Sequence, residues 1–434
     1  MKTTIHILLI FCLIVLISCK SKSDEKQSED KQTEVKQNKK TLTAKDILSN
    51  PEYLAISYGG YREKTRDIQP TIPQLKEDLK IMDALGFKIL RTYNVRLPHA
   101  GNLLKAIKEL KTEDPDFEMY VMLGAWIDCK NAWTNLPINH NEESPENTNE
   151  IKRAVKLANQ YPDIVKIIAV GNEAMVKWAA AYYVQPDVIL KWVNHLQKLK
   201  QKGKLDKNLW ITSSDNFASW GGGEQQYHTP ELNKLIKAVD YLSIHTYPMH
   251  DTHYNPVFWG VSPSEKDLTN SEKLDKVMKR SLSYAISQYD SVVSYMKSLK
   301  VDKPVHIGET GWASVSGGHY GVNGSKATDE YKQALYYNKM RDWATENKIK
   351  CFYFEAFDEP WKDAMHPLGS ENYFGLITVD GKAKYTLWDE VDEGIFEGLQ
   401  RGGNPITKTY NGNYEDLLLD VSIPDIKNEI TPNH

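Results

Sequence analysis

Two glutamates stand directly after short apolar runs that are otherwise typical of buried strands. Glu173 follows residues 164–172, and Glu309 follows residues 304–308. In a barrel of parallel strands, the carboxyl ends of the strands carry the active site. Two carboxyl groups that face each other there can act as proton donor and nucleophile on a glycosidic bond. The spacing of these two residues therefore predicts acid/base and nucleophilic chemistry on a sugar.

The elements that must position these glutamates alternate between strand-like and helix-like patterns. The clearest helix is predicted over residues 274–299, where apolar residues recur at steps of three and four. An open doubly wound sheet would need a glycine-rich phosphate turn after its first strand, and residues 58–61 match such a turn poorly. We therefore predict a (β/α)8 TIM barrel with the catalytic glutamates at the carboxyl ends of strands 4 and 7. The predicted strands are residues 53–58, 88–93, 119–124, 165–171, 209–213, 241–247, 305–308 and 351–356.

Composition restricts the class of partner. The chain has 434 residues, 41% of them hydrophobic, and a net charge of −4, which gives no electrostatic reason to bind nucleic acid. Tyrosine (24) and tryptophan (11) are plentiful, and their rings suit stacking against sugars. The residues predicted to stack are Trp126, Trp133, Tyr254, Trp259 and Trp312, with Trp312 favoured because it is close to Glu309 in sequence. A monomer is the default expectation.

The first residues have the pattern of an export signal. Lys2 precedes an apolar run over residues 5–17, which is too short to span a bilayer comfortably, and the run ends in Ser18 and Cys19. Residues 16–19 resemble the lipobox of bacterial lipoproteins, which implies a signal peptide over residues 1–18 and lipidation of Cys19. An ordinary signal peptide or a membrane anchor is the alternative. The implied location is outside the cell, held by lipid at the outer membrane and exposed at the cell surface.

The remaining chain divides by composition. Residues 19–43 are mostly charged and polar, so they predict a hydrated tether with too little apolar surface to form a core. The barrel is expected over residues 44–390. The extension over residues 391–434 has no clear period, and it is expected either to pack on the barrel or to trail away.

Several short motifs in a fixed order carry a family resemblance. Over roughly residues 50–390 the chain resembles glycoside hydrolase family 17, which contains the β-1,3-glucanases. The last of these motifs, the cluster after strand 8, is the least accidental match. The motifs are Arg91-Thr92-Tyr93, Gly171-Asn172-Glu173, Thr246-Tyr247-Pro248, Glu309-Thr310-Gly311-Trp312, and Phe357-Asp358-Glu359 with Lys362 and residues 371–376.

The resemblance implies an endo-β-1,3-glucanase that acts on laminarin-like glucan with retention of configuration. Glu173 would be the acid/base and Glu309 the nucleophile. Asn172 would bond the sugar 2-hydroxyl, Tyr247 would orient Glu309, and Arg91 would keep Glu309 charged. The alternatives are a β-1,3-glucanosyltransferase, which shares the covalent intermediate, and a surface protein that binds glucan without cleaving it.

On the same grounds, Glu359, Lys362 and Glu371 are expected either to grip hydroxyls or to form an ion cluster beside the cleft. His250, Asp251 and His253 lack the fourth ligand and the helical spacing of a metal site, so neither a metal nor a cofactor is expected. Two positions depart from the better-known plant members: Glu355 replaces a small residue, and His245 stands where they have asparagine. Preference for chain length therefore does not carry over. The additional substrate-binding candidates are Tyr93, Trp126, Trp312, Glu359, Lys362 and Glu371.

Overall fold

Eight parallel strands close into a barrel in the computed structural model, which describes residues 41–430. Each strand pairs with the preceding and following barrel strands in the chain, and the first pairs with the last. The strands are buried on both faces, which explains their nearly continuous apolar sequences. They are β1 (Leu54–Ser57), β2 (Phe87–Arg91), β3 (Tyr120–Ala125), β4 (Val165–Asn172), β5 (Trp210–Asn216), β6 (Leu242–His245), β7 (Val305–Gly311) and β8 (Cys351–Phe354).

Helices surround this barrel, so the (β/α)8 prediction is confirmed. The longest of them buries residues at the predicted steps of three and four, and a capping box between Thr269 and Glu272 starts it. The helices are α1 (Ala44–Ser49), α2 (Ile72–Ala84), α3 (Pro98–Glu113), α4 (Glu146–Gln160), α5 (Pro186–Gln201), α6 (Pro230–Ala238), α7 (Pro248–Tyr254), α8 (Asn270–Ser298), α9 (Glu330–Glu346), α10 (Trp388–Asp392) and α11 (Tyr414–Leu419).

The amino-terminal end of the barrel is closed by α1. Thr43 caps this helix through a reciprocal bond with Asp46. Ile47 and Leu48 are buried in one cluster with residues from the starts of the barrel strands, including Tyr120 and Phe352. The cleft that could admit substrate lies at the opposite end of the barrel, the end that carries Glu309.

The segment after residue 390 packs on the barrel. Arg401 is fully buried and donates from Nε to Asp78 Oδ1 on α2 at 3.0 Å. Leu417 of α11 is buried in a small cluster that includes Leu274 of α8. Lys332 Nζ of α9 donates to the carbonyl oxygen of Ser422 at 2.7 Å.

The predicted signal peptide and most of the predicted tether lie outside the described residues. Residues 1–40 include Cys19, so the lipidation prediction stays a prediction. Within residues 41–430, no helix combines the length and the apolar character needed to cross a membrane.

Candidate active site

Glu173 is placed by an irregular end to β4. The pairing of β4 with β5 shifts register between Ala169 and Asn172. Gly171 has φ +82°, and a Cβ there would lie 2.9 Å from the Cβ of Ala174, so a side chain would clash. Glu173 itself adopts φ 45°, and its backbone N–H donates to Ser214 O on β5 at 3.0 Å. The bulge and the left-handed residue together aim the Glu173 side chain across the carboxyl end of the barrel.

Glu309 lies near the end of β7 and is held by three donors. Arg91 of β2 forms an ion pair with Oε2 through Nη1. The Tyr93 hydroxyl donates to Oε2 at 3.1 Å, and the Tyr247 hydroxyl donates to Oε1 at 2.6 Å. Burial alone would raise the pKa of Glu309, but Arg91 and the Tyr247 hydrogen bond hold that pKa at about 2. Glu309 is therefore ionised at neutral pH.

A chain of hydrogen bonds joins the two glutamates. Arg91 Nη2 donates to Asn172 Oδ1 at 2.5 Å and lies 3.3 Å from Nε2 of His245. Because a guanidinium can only donate, Nε2 must be the acceptor nitrogen, and Nδ1 then carries the hydrogen. Nδ1 lies 3.2 Å from Glu173 Oε1, to which it donates. Burial lowers the pKa of His245 to about 3, so this imidazole is neutral at neutral pH.

The pKa of Glu173 is shifted in the opposite direction from the pKa of Glu309. Burial raises the pKa of Glu173 well above its usual value, and the charges of Glu309 and Asp215 raise it further. Asp215 is fully buried at the end of β5, where it accepts the backbone N–H of Met175 at 2.8 Å. Since His245 already donates to Oε1, Oε2 is left to carry the proton of Glu173. The site therefore holds one protonated and one ionised carboxyl, the combination that glycosidic cleavage needs.

A cleft of about 910 Å³ opens beside this pair, on the side of Glu309 and Asn172. It extends across the loops that follow β1, β2, β3 and β8, and both Glu309 and Asn172 line it. The structure brings most of the predicted substrate-binding side chains to its walls. Those that line the cleft are Tyr93, Trp126, Glu359, Lys362 and Glu371.

Sequence comparison identifies the family. The sequence model of the family described as BtgE/BtgC glycoside hydrolase domain matches residues 55–375 of the chain. The chain belongs to that family. The resemblance to glycoside hydrolase family 17 is thereby confirmed, and the protein is a glycoside hydrolase.

Relatives and solved structures agree with this assignment. An endo-laminarinase from Formosa Hel1_33_131 is 69% identical, with a TM-score of 0.89 over 91% of this chain and 100% of that one. A glucan 1,3-β-glucosidase from Arthroderma benhamiae is 24% identical over 61% of this chain and 70% of its own length. A probable glucan endo-1,3-β-glucosidase, btgC of Aspergillus flavus, is 24% identical over 80% of this chain, but the match spans 45% of that protein. A Rhizomucor miehei β-1,3-glucanosyltransferase complexed with laminaritriose shares the fold, at 20% identity and a TM-score of 0.52 over 77% of this chain and 96% of that one.

Two predicted stacking contacts of this glycoside hydrolase with substrate are wrong. Trp259 is 2% exposed, and its ring packs against that of Trp312. Trp312 is fully buried, and its Nε1 donates to the carbonyl oxygen of Ala327 at 2.8 Å. Successive side chains of a strand alternate between its two faces, so a residue three positions after Glu309 points away from the cleft. Thr310 already points outward, where it bonds Tyr336 of α9 at 2.7 Å. Trp312 is therefore part of the packing between barrel and helices.

Lys362 lies in a buried ion cluster at the edge of the cleft. Its Nζ lies 2.9 Å from both carboxyl oxygens of Glu355 and 3.4 Å from Glu359 Oε2. Glu371 lies apart from this cluster, with a half-exposed side chain 3.5 Å from His250. Glu355 and Glu359 are thus held by Lys362, while Glu371 pairs with His250 at the wall of the cleft.

We expect Lys362→Met to destabilise the fold. Glu355 is 1% exposed, so losing its cation leaves an uncompensated buried carboxyl. The free energy of unfolding, measured by chemical denaturation, should fall by about 3 kcal/mol. The double variant Lys362→Met/Glu355→Gln removes both charges and should recover part of this loss. A single variant as stable as the wild type would contradict the assignment.

The Arg91 ion pair predicts a change in pH dependence. The acid limb of kcat/KM reports protonation of Glu309, which must be ionised to act. Removing the cation by Arg91→Met lets burial raise the pKa of Glu309, so the acid limb should move to higher pH. Arg91→Lys keeps a charge and should shift it less. An unchanged acid limb in Arg91→Met would show that Glu309 does not set it.

Sequence reasoning did not assign a role to three residues of the site. The sequence marks His245 as a departure from the plant enzymes, but it does not predict that His245 donates a hydrogen bond to Glu173. The strand predicted over residues 209–213 ended too early and left out Ser214 and Asp215, which lie in β5. The available signal was the polar run over residues 212–216 at the end of an apolar strand, because buried polar groups need hydrogen-bond partners.

Proposed function

We propose that this glycoside hydrolase cleaves internal β-1,3 bonds of laminarin-like glucan by double displacement with retention of configuration. The observation that carries the proposal is the pair Glu173 and Glu309, held in opposite protonation states and linked through Arg91 and His245. The choice of glucan is supported by the 69% identity to the Formosa endo-laminarinase.

The first step forms a glycosyl ester. A Glu309 oxygen attacks the anomeric carbon while the Glu173 proton passes to the glycosidic oxygen, and the reducing-end fragment leaves. Asn172 Oδ1 is engaged by Arg91, which leaves its amide N–H groups to donate to the sugar 2-hydroxyl. This bond strengthens as the ring gains oxocarbenium character.

The second step reverses the roles. Esterification removes the charge of Glu309, which is one of the causes that raise the pKa of Glu173. The pKa of Glu173 therefore falls when it must act as a base and take a proton from water. Tyr247 and Arg91 then stabilise the carboxylate of Glu309 as the ester bond breaks.

Product analysis tests the proposal. Linear β-1,3-glucan, mixed-linkage glucan and cellulose would be digested separately, and products followed by size and, by NMR, by anomeric configuration. We expect oligosaccharides of intermediate length from β-1,3-glucan and β-configured products at first. Products longer than the substrate would favour a glucanosyltransferase, and α-configured products would exclude retention. No cleavage of any β-glucan would favour a binding protein.

We also propose that the enzyme is a monomeric lipoprotein, held by lipid on Cys19 at the outer membrane and exposed at the cell surface. The lipobox-like residues 16–19 and the polar composition of residues 20–43 support this. Metabolic labelling with a fatty acid should mark the wild type, and Cys19→Ala should be unlabelled. Equal labelling of both would contradict the proposal, and gel filtration would test the monomer.

A further inference from the structure

The segment after β3 forms a hairpin that presents an exposed tryptophan. Residues Cys129–Lys130 pair antiparallel with Asn139–Glu143, and Trp133 lies in the connecting turn. Its side chain is 62% exposed. Most of this indole surface is not buried by the protein itself and is therefore available to a ligand.

The indole of Trp133 is held in one orientation. Its ring stacks on Tyr182 with centroids 5.2 Å apart and planes 22° apart. Its Nε1 donates to Asp128 Oδ1 at 3.2 Å, and Trp126 Nε1 donates to the same oxygen at 2.5 Å. The backbone of Trp133 is left-handed, with φ 61°, an arrangement that costs energy for a large side chain. One face of the ring is thus supported and the other faces solvent.

The hairpin itself is anchored to the barrel. Glu143 forms an ion pair with Lys191 of α5 and accepts Trp192 Nε1 at 2.6 Å. The backbone N–H of Cys129 donates to Tyr182 O at 3.0 Å, beneath the indole. These contacts preorganise the ring, which lowers the entropy lost when a ligand binds.

The position of the ring indicates which part of the substrate it meets. Trp133 and Trp126 line the same cleft as Glu309 and Asn172, whereas Glu173 is outside the lining of that cleft among residues 41–430. The sugar that stays bonded to the nucleophile is on the non-reducing side of the cleaved bond, and the fragment protonated by Glu173 leaves. A cleft lined by the nucleophile and by Asn172 fits the sugars on the non-reducing side of the cleaved bond.

We propose that Trp133, with Trp126 beside it, forms a binding subsite for a glucose unit remote from the cleaved bond on the non-reducing side. All hydroxyls of a β-linked glucose are equatorial, so its ring face carries C–H groups that pack on an indole. Trp126 directly follows β3 and serves the nearer unit, and Trp133 serves one farther out. The subsite rests on the proposed function and would make cleavage depend on chain length.

The test compares Trp133→Ala with wild type on β-1,3-linked glucose oligomers of three to six units. We expect kcat/KM on the hexamer to fall about tenfold, chiefly through KM, with the trimer unaffected. With a hexamer labelled at its reducing end, the cleavage position should shift towards a shorter non-reducing fragment. Trp133→Phe, which keeps an aromatic face, should recover most of the activity.

The matched control is Trp178→Ala, because Trp178 is 64% exposed but is outside the described cleft lining. It should leave chain-length dependence unchanged. Equal losses on trimer and hexamer, or no loss on either, would overturn the subsite while the proposed function stands. A wild type inactive on every β-1,3-glucan would overturn the proposed function and the subsite with it.

Discussion

Glu309→Ala is expected to abolish glucan cleavage almost completely. Removing the nucleophile removes the covalent route, and losses on the order of 10⁴–10⁶-fold in kcat accompany loss of such a residue. The free energy of unfolding should also fall, because the buried Arg91 loses its carboxylate partner, but the rest of the barrel core is unchanged and the fold should survive. Kinetics on β-1,3-glucan at neutral pH, with unfolding curves alongside, would measure both effects.

Chemical rescue makes this prediction specific. Azide can enter the space left by the Glu309 carboxyl and attack the anomeric carbon from the same face while Glu173 still protonates the leaving oxygen. The product should be an α-glycosyl azide, inverted relative to the substrate. An activated aryl β-glucoside oligomer as substrate would make the rescued rate measurable.

Glu371→Ala is the matched control for Glu309→Ala. Glu371 lines the same cleft but contacts His250 and has a half-exposed side chain. Its removal should lower activity far less, and azide should not change its rate. If azide fails to rescue Glu309→Ala, or yields a β-configured azide, Glu309 is not the nucleophile.

The barrel was predictable because its signal is repeated along the chain. Each strand is an apolar run of a few residues, and one missed boundary does not alter the alternation of strands and helices. The role of α1 was not predictable in the same way. Residues 44–49 form one short helix, and only the closed barrel shows that Ile47 and Leu48 complete the core at its amino-terminal end.

The catalytic pair was predictable because each glutamate is part of a short motif at the end of an apolar run. Trp312 shows the limit of such a prediction, because a residue close to Glu309 in sequence need not lie close to the Glu309 carboxyl in space. The alternation of side chains along β7 sends it to the outer face instead, where its Nε1 bonds Ala327. A strict count of strand positions would have corrected this.

The pKa values of the two glutamates depend on partners that are far from them in the chain. Arg91 and Glu309 are 218 positions apart, and His245 and Glu173 are 72 apart. No local pattern encodes such pairings. Asp215 is a further case, since its effect on the pKa of Glu173 requires both strand ends to be placed. Residue types at strand ends thus predicted the chemistry and the family resemblance implied the roles, while the closed barrel shows the contacts that set the two pKa values.

Glu173→Ala is expected to lose activity in a way that depends on the leaving group. General acid catalysis contributes about 10²–10⁴-fold, so kcat on glucan, whose leaving oxygen needs a proton, should fall by about that factor. From a dinitrophenyl β-glucoside oligomer, dinitrophenolate leaves without protonation, so the glucosyl part should still form the ester on Glu309. The ester would then accumulate, because the base for the second step is missing, and a burst of dinitrophenol should precede a slow steady state.

Azide and pH complete this test. Azide needs no general base, so it should attack the accumulated ester and give a β-glycosyl azide, the opposite configuration to that from Glu309→Ala. Glu173 must be protonated to act and has a raised pKa, so the alkaline limb of kcat/KM in the wild type should report it and vanish in Glu173→Ala. Asp215→Asn is the matched comparison, because removing that charge should lower the pKa of Glu173 and move the alkaline limb to lower pH. An alkaline limb that persists in Glu173→Ala would mean that another group supplies the proton, and the pairing of roles across the barrel would be wrong.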